Sequence, residues 1–333
     1  MTETPTRRAG WQLPPWLDDS GRELALVLAC IVAIAVFSMA SPFFLTASNL
    51  MTILRNSYEL LLVGLAMTLL IAMGAVDISI GAAMGFCALF VGYALLAGLP
   101  LIVAILVGCL SGAAAGLVVA LVVVGAGIPS IVGTLGLMGV IRMAIYLLLG
   151  GQWMSGIPDG LTRMLAAAPG GLPVAVWVIA IVYLAVWVAL RRTGFGLHIL
   201  AIGNSEAKAR LQGLPVLRLR FITHVVSGVL TGIAAVYYVA TYRNVTMAVG
   251  SDIGLEAIAA VILGGSAITG GKCSIIGTAL GVALLRILQN GLLLIGVPSL
   301  WQTVVTGALL LGVLAAEVGS GSLRGLVRER GAA

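Results

Sequence analysis

Arg286, Gln289 and Asn290 stand at i, i+3 and i+4 in ALLRILQNGLLLIG and form one polar stripe on an otherwise apolar helix. Amide side chains both donate and accept, which suits a path for a hydroxyl-rich solute, and hydrogen bonding between helices accounts for the stripe equally well. Charges inside apolar stretches are costly and point to function. Asp77, just before ISIGAAMGF, is a candidate for such a path or for a cap on the helix that follows. Glu256, near the start of a later apolar run, is a second path candidate that also suits a helix dipole. Arg142 lies close enough to the end of its run to extend its head group to water. His198 and His224 have no partner at ligand spacing and read as interfacial residues.

Covalent chemistry finds no support. GxSxG, HExxH and CxxC are absent, and SAITGGKC at 266–273 fails as a phosphate loop because Ser266 replaces the first glycine and Cys273 the magnesium-binding hydroxyl. Gly270, Gly271 and Lys272 read instead as a tight turn with a basic anchor. Cys30, Cys87, Cys109 and Cys273 lack metal spacing and are expected to be small apolar fillers. No catalytic residue, metal, cofactor or nucleic-acid partner is expected.

The longest polar interior segment is RRTGFGLHILAIGNSEAKARLQGLPVLRLR, residues 191–220. Asn204 or Ser205 can cap a short helix with Glu206 in its first turn and Lys208 and Arg210 toward its end, and Gly213 with Pro215 stops it. Ala207, Leu211 and Leu214 share one face. Two turns are not stable alone in water, so this helix must dock, either on the bilayer surface or on a soluble partner.

These groups are positioned by a chain that is 61% apolar and 9% charged, against about a quarter charged in soluble domains. That composition excludes a soluble globular protein, a disordered chain and a disulfide scaffold and leaves a membrane protein. Ten apolar runs, at about 24–42, 59–75, 78–97, 100–123, 128–149, 173–190, 221–241, 254–268, 274–294 and 299–317, predict an all-α polytopic bundle. The first is expected to be a retained helix, since no small-residue cleavage site follows it. Asn49–Ser57 looks too short and polar to cross and is expected to be an interfacial helix capped by Ser48 or Asn49. Thirteen of the 18 Lys and Arg residues fall in the tails and alternate loops, which predicts both termini in the cytoplasm. A cytoplasmic tail over 1–23, a transmembrane domain over 24–318 with its loop at 191–220, and a second tail over 319–333 are the expected organisation.

Five runs in each half would make the second half an inverted copy of the first, and GAVDISIG at 74–81 faintly echoes GSDIGLEA at 250–257. Gly108, Gly112 and Gly116, and Gly277 with Gly281, lie at helical spacing and predict close helix packing within one bundle, with a dimer face as the alternative.

GAVDISIGAAMGF (74–86), GNSEAKARLQGLPV (203–216), LEAIAAVILGGSAITGGKCSIIGTALG (255–281) and NGLLLIGVPSLWQ (290–302) together resemble the permease subunits of bacterial ribose, xylose and galactoside ABC importers. GIPSIVGTLGLMGVIRM with GGQWMSGIP, within 127–158, is most similar to the autoinducer-2 and rhamnose branch. The resemblance implies a ten-helix fold of the vitamin B12 permease type in the bacterial inner membrane. It also implies a second permease subunit, identical or homologous, two ATP-binding subunits and a periplasmic or lipoprotein sugar-binding protein. Asn204, Ser205, Glu206, Ala207, Ala209, Arg210, Leu211 and Gly213 match the family's GNEAAARLSG stretch, which makes them, with Lys208, the expected coupling element. Gln289 and Asn290 sit where the family often has an Asn pair, whereas Arg286 departs from a usually small residue.

The expectation is therefore a non-catalytic permease that passes a sugar-like solute while partner subunits hydrolyse ATP. An uncharged sugar needs hydrogen-bonding groups rather than an ion relay, which agrees with an interior expected to hold few acids. The alternatives are a branched-chain amino acid permease of the same fold and an ion-coupled secondary carrier.

Overall fold

Nearly unbroken apolar sequence forces each segment to satisfy its own main-chain polar groups, and helix is the only open-ended way to do so in lipid. The computed structural model describes residues 15–298 and, beyond them, 301, 304, 305, 307, 308, 311 and 312. Most of the expected tenth run, the tail from 319 and residues 1–14 lie outside the described residues. The helices are α1 (Pro15–Ala40), α2 (Ala47–Ala72), α3 (Ile80–Leu96), α4 (Leu101–Ala120), α5 (Ser130–Leu149) and α6 (Gly160–Ala166). They continue as α7 (Val174–Arg192), α8 (Gly194–Asn204), α9 (Glu206–Leu211), α10 (Val216–Tyr242), α11 (Ile253–Leu263) and α12 (Ile275–Leu294). A π-helical turn, Leu121–Gly125, extends α4.

Among the described residues, seven helices are long and apolar enough to cross a membrane, namely α1, α2, α4, α5, α7, α10 and α12. The third and eighth expected crossings are the shorter α3 and α11, which hold 17 and 11 residues. Each follows a non-helical stretch, 73–79 and 243–252, and the two helices begin against each other. A β-carbon on Gly81 would strike the Gly250 carbonyl, and Ile78 O lies 3.4 Å from where one on Gly254 would stand. At its other end α3 meets Met154 and Ile157, whose carbonyl accepts from the Arg243 side chain just after α10. The far end of α11 instead leads to Gly271, whose N–H donates to Ala72 O at the end of α2. The segments that echo each other in sequence are thus two half-helices starting together and running toward opposite faces, the local geometry an inverted repeat produces.

The segment expected to be an interfacial helix, Asn49–Ser57, is the first part of α2. Thr46, not Ser48 or Asn49, is its cap, accepting from Asn49 N–H. Three of its polar residues find partners: Thr52 Oγ1 donates to Ser48 O, Ser57 Oγ donates to Ile53 O, and Asn49 bonds across to α12. The 191–220 segment holds more helix than expected. GFGLHILAIGN forms α8, whose Ile199 and Ile202 are buried against the end of α2.

The glycine spacing does what was expected of it. Gly108, Gly112 and Gly116 on α4 face Gly228 and Gly232 on α10 at backbone contact, and Gly277 and Gly281 on α12 meet Gly264 and Ala260 of α11. Polar bonds supplement this packing: Thr68 and Thr278 hydroxyls lie 2.7 Å apart between α2 and α12, and Tyr237 Oη donates to Ala175 O. Cys30 and Cys87 are buried, as small apolar fillers would be. His224 is a correction: it is buried in α10 rather than interfacial, with Nδ1 2.8 Å from Arg220 O, because the glycine seam brings α4 over it.

Candidate translocation and coupling sites

The polar stripe of α12 points into the bundle, where it meets acids from two other helices. Arg286 Nη1 lies 3.1 Å from Glu256 Oε2 on α11 and 2.6 Å from Gln289 Oε1, and Gln289 Nε2 donates to Glu256 Oε1 at 2.8 Å. Arg286 Nη2 is 3.9 Å from Glu59 Oε1 on α2, and Tyr242 Oη at the end of α10 donates to the same oxygen at 3.3 Å. Four helices therefore converge on one guanidinium. Arg286 is 11 residues into α12, about 16 Å from its start at 1.5 Å per residue, which places it about halfway along that helix.

Glu59 is a functional candidate that sequence reading missed. It opens the second apolar run and so passes for a boundary residue until α2 proves longer. The signal that could have found it is Arg286 itself, since a cation within an apolar helix requires a nearby anion. Glu59 adds a second interior acid to Glu256, which the sequence had already offered. Glu256 is in the first turn of α11, where the helix dipole favours its charge.

Asn290 does not join this cluster. Its side chain and that of Asn49 form a reciprocal amide pair, with Asn49 Nδ2 to Asn290 Oδ1 at 2.9 Å and Asn290 Nδ2 to Asn49 Oδ1 at 3.0 Å. At this position the stripe is interhelical hydrogen bonding. Asn290→Leu is expected to lower stability by about 1–3 kcal/mol by leaving Asn49 Oδ1 without its donor, read as a fall in thermal midpoint in nanodiscs, while Asn49 Nδ2 keeps its bond to Phe44 O.

Asp77 is buried in the non-helical stretch before α3 and lies apart from the cluster. As a cap it acts from just ahead of the helix: its carboxyl accepts from Ser79 N–H and Oγ and from the N–H of Ile80, the first residue of α3, while Ser79 is the N-cap residue and makes no side-chain cap bond itself. Ser130 Oγ and Thr134 Oγ1 on α5 accept from Val76 and Ile78 N–H and hold the same stretch. Arg142 also differs from expectation. Its Nη2 donates to Ser251 O at 3.4 Å, so it serves the turn before α11 rather than reaching for an interface.

The second candidate site is α9. Ser205 caps it by accepting from Lys208 N–H, and Gly213, at φ +78°, lets the chain turn back into α10. Glu206 binds Arg210 through 2.6 and 3.1 Å contacts and Arg220 of α10 at 3.0 Å. Only Ala209 of this helix is buried, packed with Ile199, Ile202 and Leu219. The expected face of Ala207, Leu211 and Leu214 is divided: Leu214 packs inward, while Ala207 is exposed and Leu211 is 89% exposed. Asn204 joins α8 to α9 and lies against Gly271, where a β-carbon would overlap its side chain. This contact sets α9 beside the turn between α11 and α12.

The geometry is that of a bundle with broken helices, a buried ion cluster and a docked helix presenting leucine outward. Comparison with known proteins agrees with it. Autoinducer 2 import system permease protein LsrC of Enterobacter sp. (strain 638) is 35% identical over 294 residues, covering 88% of this chain and 85% of that protein. LsrC of Klebsiella pneumoniae subsp. pneumoniae is 34% identical over 293 residues, 88% of this chain and 85% of its own length. Autoinducer 2 import system permease protein LsrD of Yersinia pseudotuberculosis serotype O:1b is 32% identical over 314 residues, 92% of this chain and 91% of its own length. Residues 49–314, from the start of α2 to beyond α12, match the family described as branched-chain amino acid transport system, permease component, and the chain is a multi-pass membrane permease belonging to that family.

Proposed function

We propose that the chain is the permease subunit of an ATP-driven bacterial importer of a monosaccharide or sugar-like solute and catalyses no reaction itself. Two ATP-binding subunits, a second permease subunit and a periplasmic or lipoprotein sugar-binding protein complete the machine. The α9 face is cytoplasmic, as are both termini, and the membrane is the bacterial inner membrane. Asn204 to Leu211, with Gly213, form the element gripped by the ATPase. The observation that carries this reading is α9 itself, a helix too short to stand alone, clamped to α10 by Glu206 and offering Ala207 and an uncovered Leu211 outward. The relatives named as import permeases support the direction and the solute class.

Gln289 and Glu256 are better placed than Asn290 to meet a polar solute, since they lie in the cluster where the half-helix α11 begins. Asp77 serves the path through the stretch before α3. A second reading, an ion-coupled carrier, draws support from the two buried acids, and a third, amino acid import, from the family's description.

One experiment separates the three. The chain is reconstituted in vesicles with its ATPase and binding protein, and uptake of labelled autoinducer-2, ribose, xylose, galactose, rhamnose and leucine is measured with ATP or with an ion gradient. Uptake of a sugar-like solute that requires ATP is expected. Uptake driven by the gradient alone, or of leucine alone, rejects the reading.

A further inference from the structure

The buried cluster holds two carboxyls and one guanidinium, and the three are not equally matched. Glu256 uses both oxygens, one on Arg286 and one on Gln289, and stands at a helix N-terminus that favours a negative charge. Glu59 is only 5% exposed, yet its oxygens are poorly served. Oε1 has a long contact to Arg286 and a weak bond from Tyr242, and Oε2 has no hydrogen-bond partner among the described residues. The groups that face Glu59 are Glu256 from α11, Arg286 from α12 and Tyr242 from α10, whose ring stacks on Tyr238; Arg55, one turn earlier on α2, is exposed. Among the described residues no second cation pairs with these acids. A buried carboxylate so weakly supported is far costlier than a neutral carboxyl, which needs only one acceptor for its O–H.

We infer that this cluster is a proton-binding site in which one proton is held by the pair Glu59 and Glu256, resting on Glu59 when Arg286 pairs with Glu256. The guanidinium is close enough to serve either acid. When Arg286 turns to Glu59, that carboxyl gives up its proton and Glu256 takes one, so the charge and the proton count of the site are unchanged. Either acid can thus be the counter-ion, and the other is then neutral. Because α11 is joined by the 264–274 turn to Gly271 and Asn204, a shift of α11 moves Glu256 relative to Arg286 and changes which acid carries the proton. That use within a transport cycle rests on the importer reading; the proton site does not.

Infrared difference spectra of the full chain in nanodiscs test the protonation directly. A carbonyl stretch of a protonated carboxyl is expected in the wild type and lost in Glu59→Gln. It is also expected to be lost in Glu256→Gln, where Glu59 becomes the sole anion for Arg286. Thermal unfolding provides the second measurement. Each single variant should stay within about 2 °C of wild type, and Glu59→Gln with Glu256→Gln together should fall by about 6 °C or more, since only then is Arg286 orphaned. Should the double variant fail to fold, adding Arg286→Leu is expected to recover it. No carboxyl band assignable to Glu59, a band that survives in Glu256→Gln, additive thermal shifts, or a double variant not recovered by Arg286→Leu would each overturn the proposal. These measurements need only the folded chain, so they can fail while ATP-driven uptake stands, and the reverse.

Discussion

Gly112→Leu is expected to destroy the fold, giving no monodisperse protein after extraction and a stability loss above about 3 kcal/mol in whatever is recovered. The reason is the distance between two backbones. A β-carbon on Gly112 would stand 2.8 Å from Gly232 Cα and N and would overlap the Gly228 carbonyl oxygen. No rotamer relieves a clash between a β-carbon and main chain, so α4 and α10 must separate along a seam where Gly116 and Gly108 make the same close approach. Ordinary overpacking costs about 1–3 kcal/mol, and here the whole interface is lost with it. Gly136→Leu on α5 is the control: nothing lies within 4 Å of its β-carbon position, and the residue is exposed, so stability should hold or rise slightly as glycine leaves a helix. A Gly112→Leu protein as stable as Gly136→Leu would mean that the seam is not a packing interface.

Leu211→Asp is expected to leave the permease folded and to reduce solute-stimulated ATPase activity of the assembled complex by about 10- to 100-fold. Leu211 touches no core cluster and is almost wholly exposed, so its change costs the isolated chain little. Burying a leucine in a partner contributes about 1.5–3 kcal/mol, and each 1.4 kcal/mol is tenfold in affinity. An acid in its place also carries a charge into that pocket. Glu206→Ala should lower the same activity by a different route, because Arg220 and Arg210 lose their shared anchor and α9 loses its hold on α10. Equal thermal midpoints with wild-type stimulation in Leu211→Asp would remove α9 from the coupling role.

Membrane residence, the helical class and most helix positions were legible in the order of residues, because each follows from local composition and from the hydrocarbon thickness a segment must span. The Ser205 cap and the Gly213 stop of α9 were legible for the same reason: a capping side chain acts within three residues, and a positive φ is a property of one glycine. The close-packing glycines could be named as well, though not which glycine would face which. Asn49–Ser57 misled because polarity counted over nine residues says nothing of partners on another helix. Leu211 misled in a milder way, since periodicity groups it with Leu214 but cannot tell which of the two the rest of the chain will cover.

What only the tertiary structure decided is pairing. Asn49 meets Asn290 across 241 residues, and Tyr242 reaches Glu59 across 183, separations over which no spacing rule operates. Helical periodicity fixes the face on which a side chain lies, whereas its partner depends on how helices cross, and in lipid that is governed by small-residue packing summed over the whole bundle. For that reason the residues alone could mark Arg286 as costly, and only the folded chain could place two acids beside it.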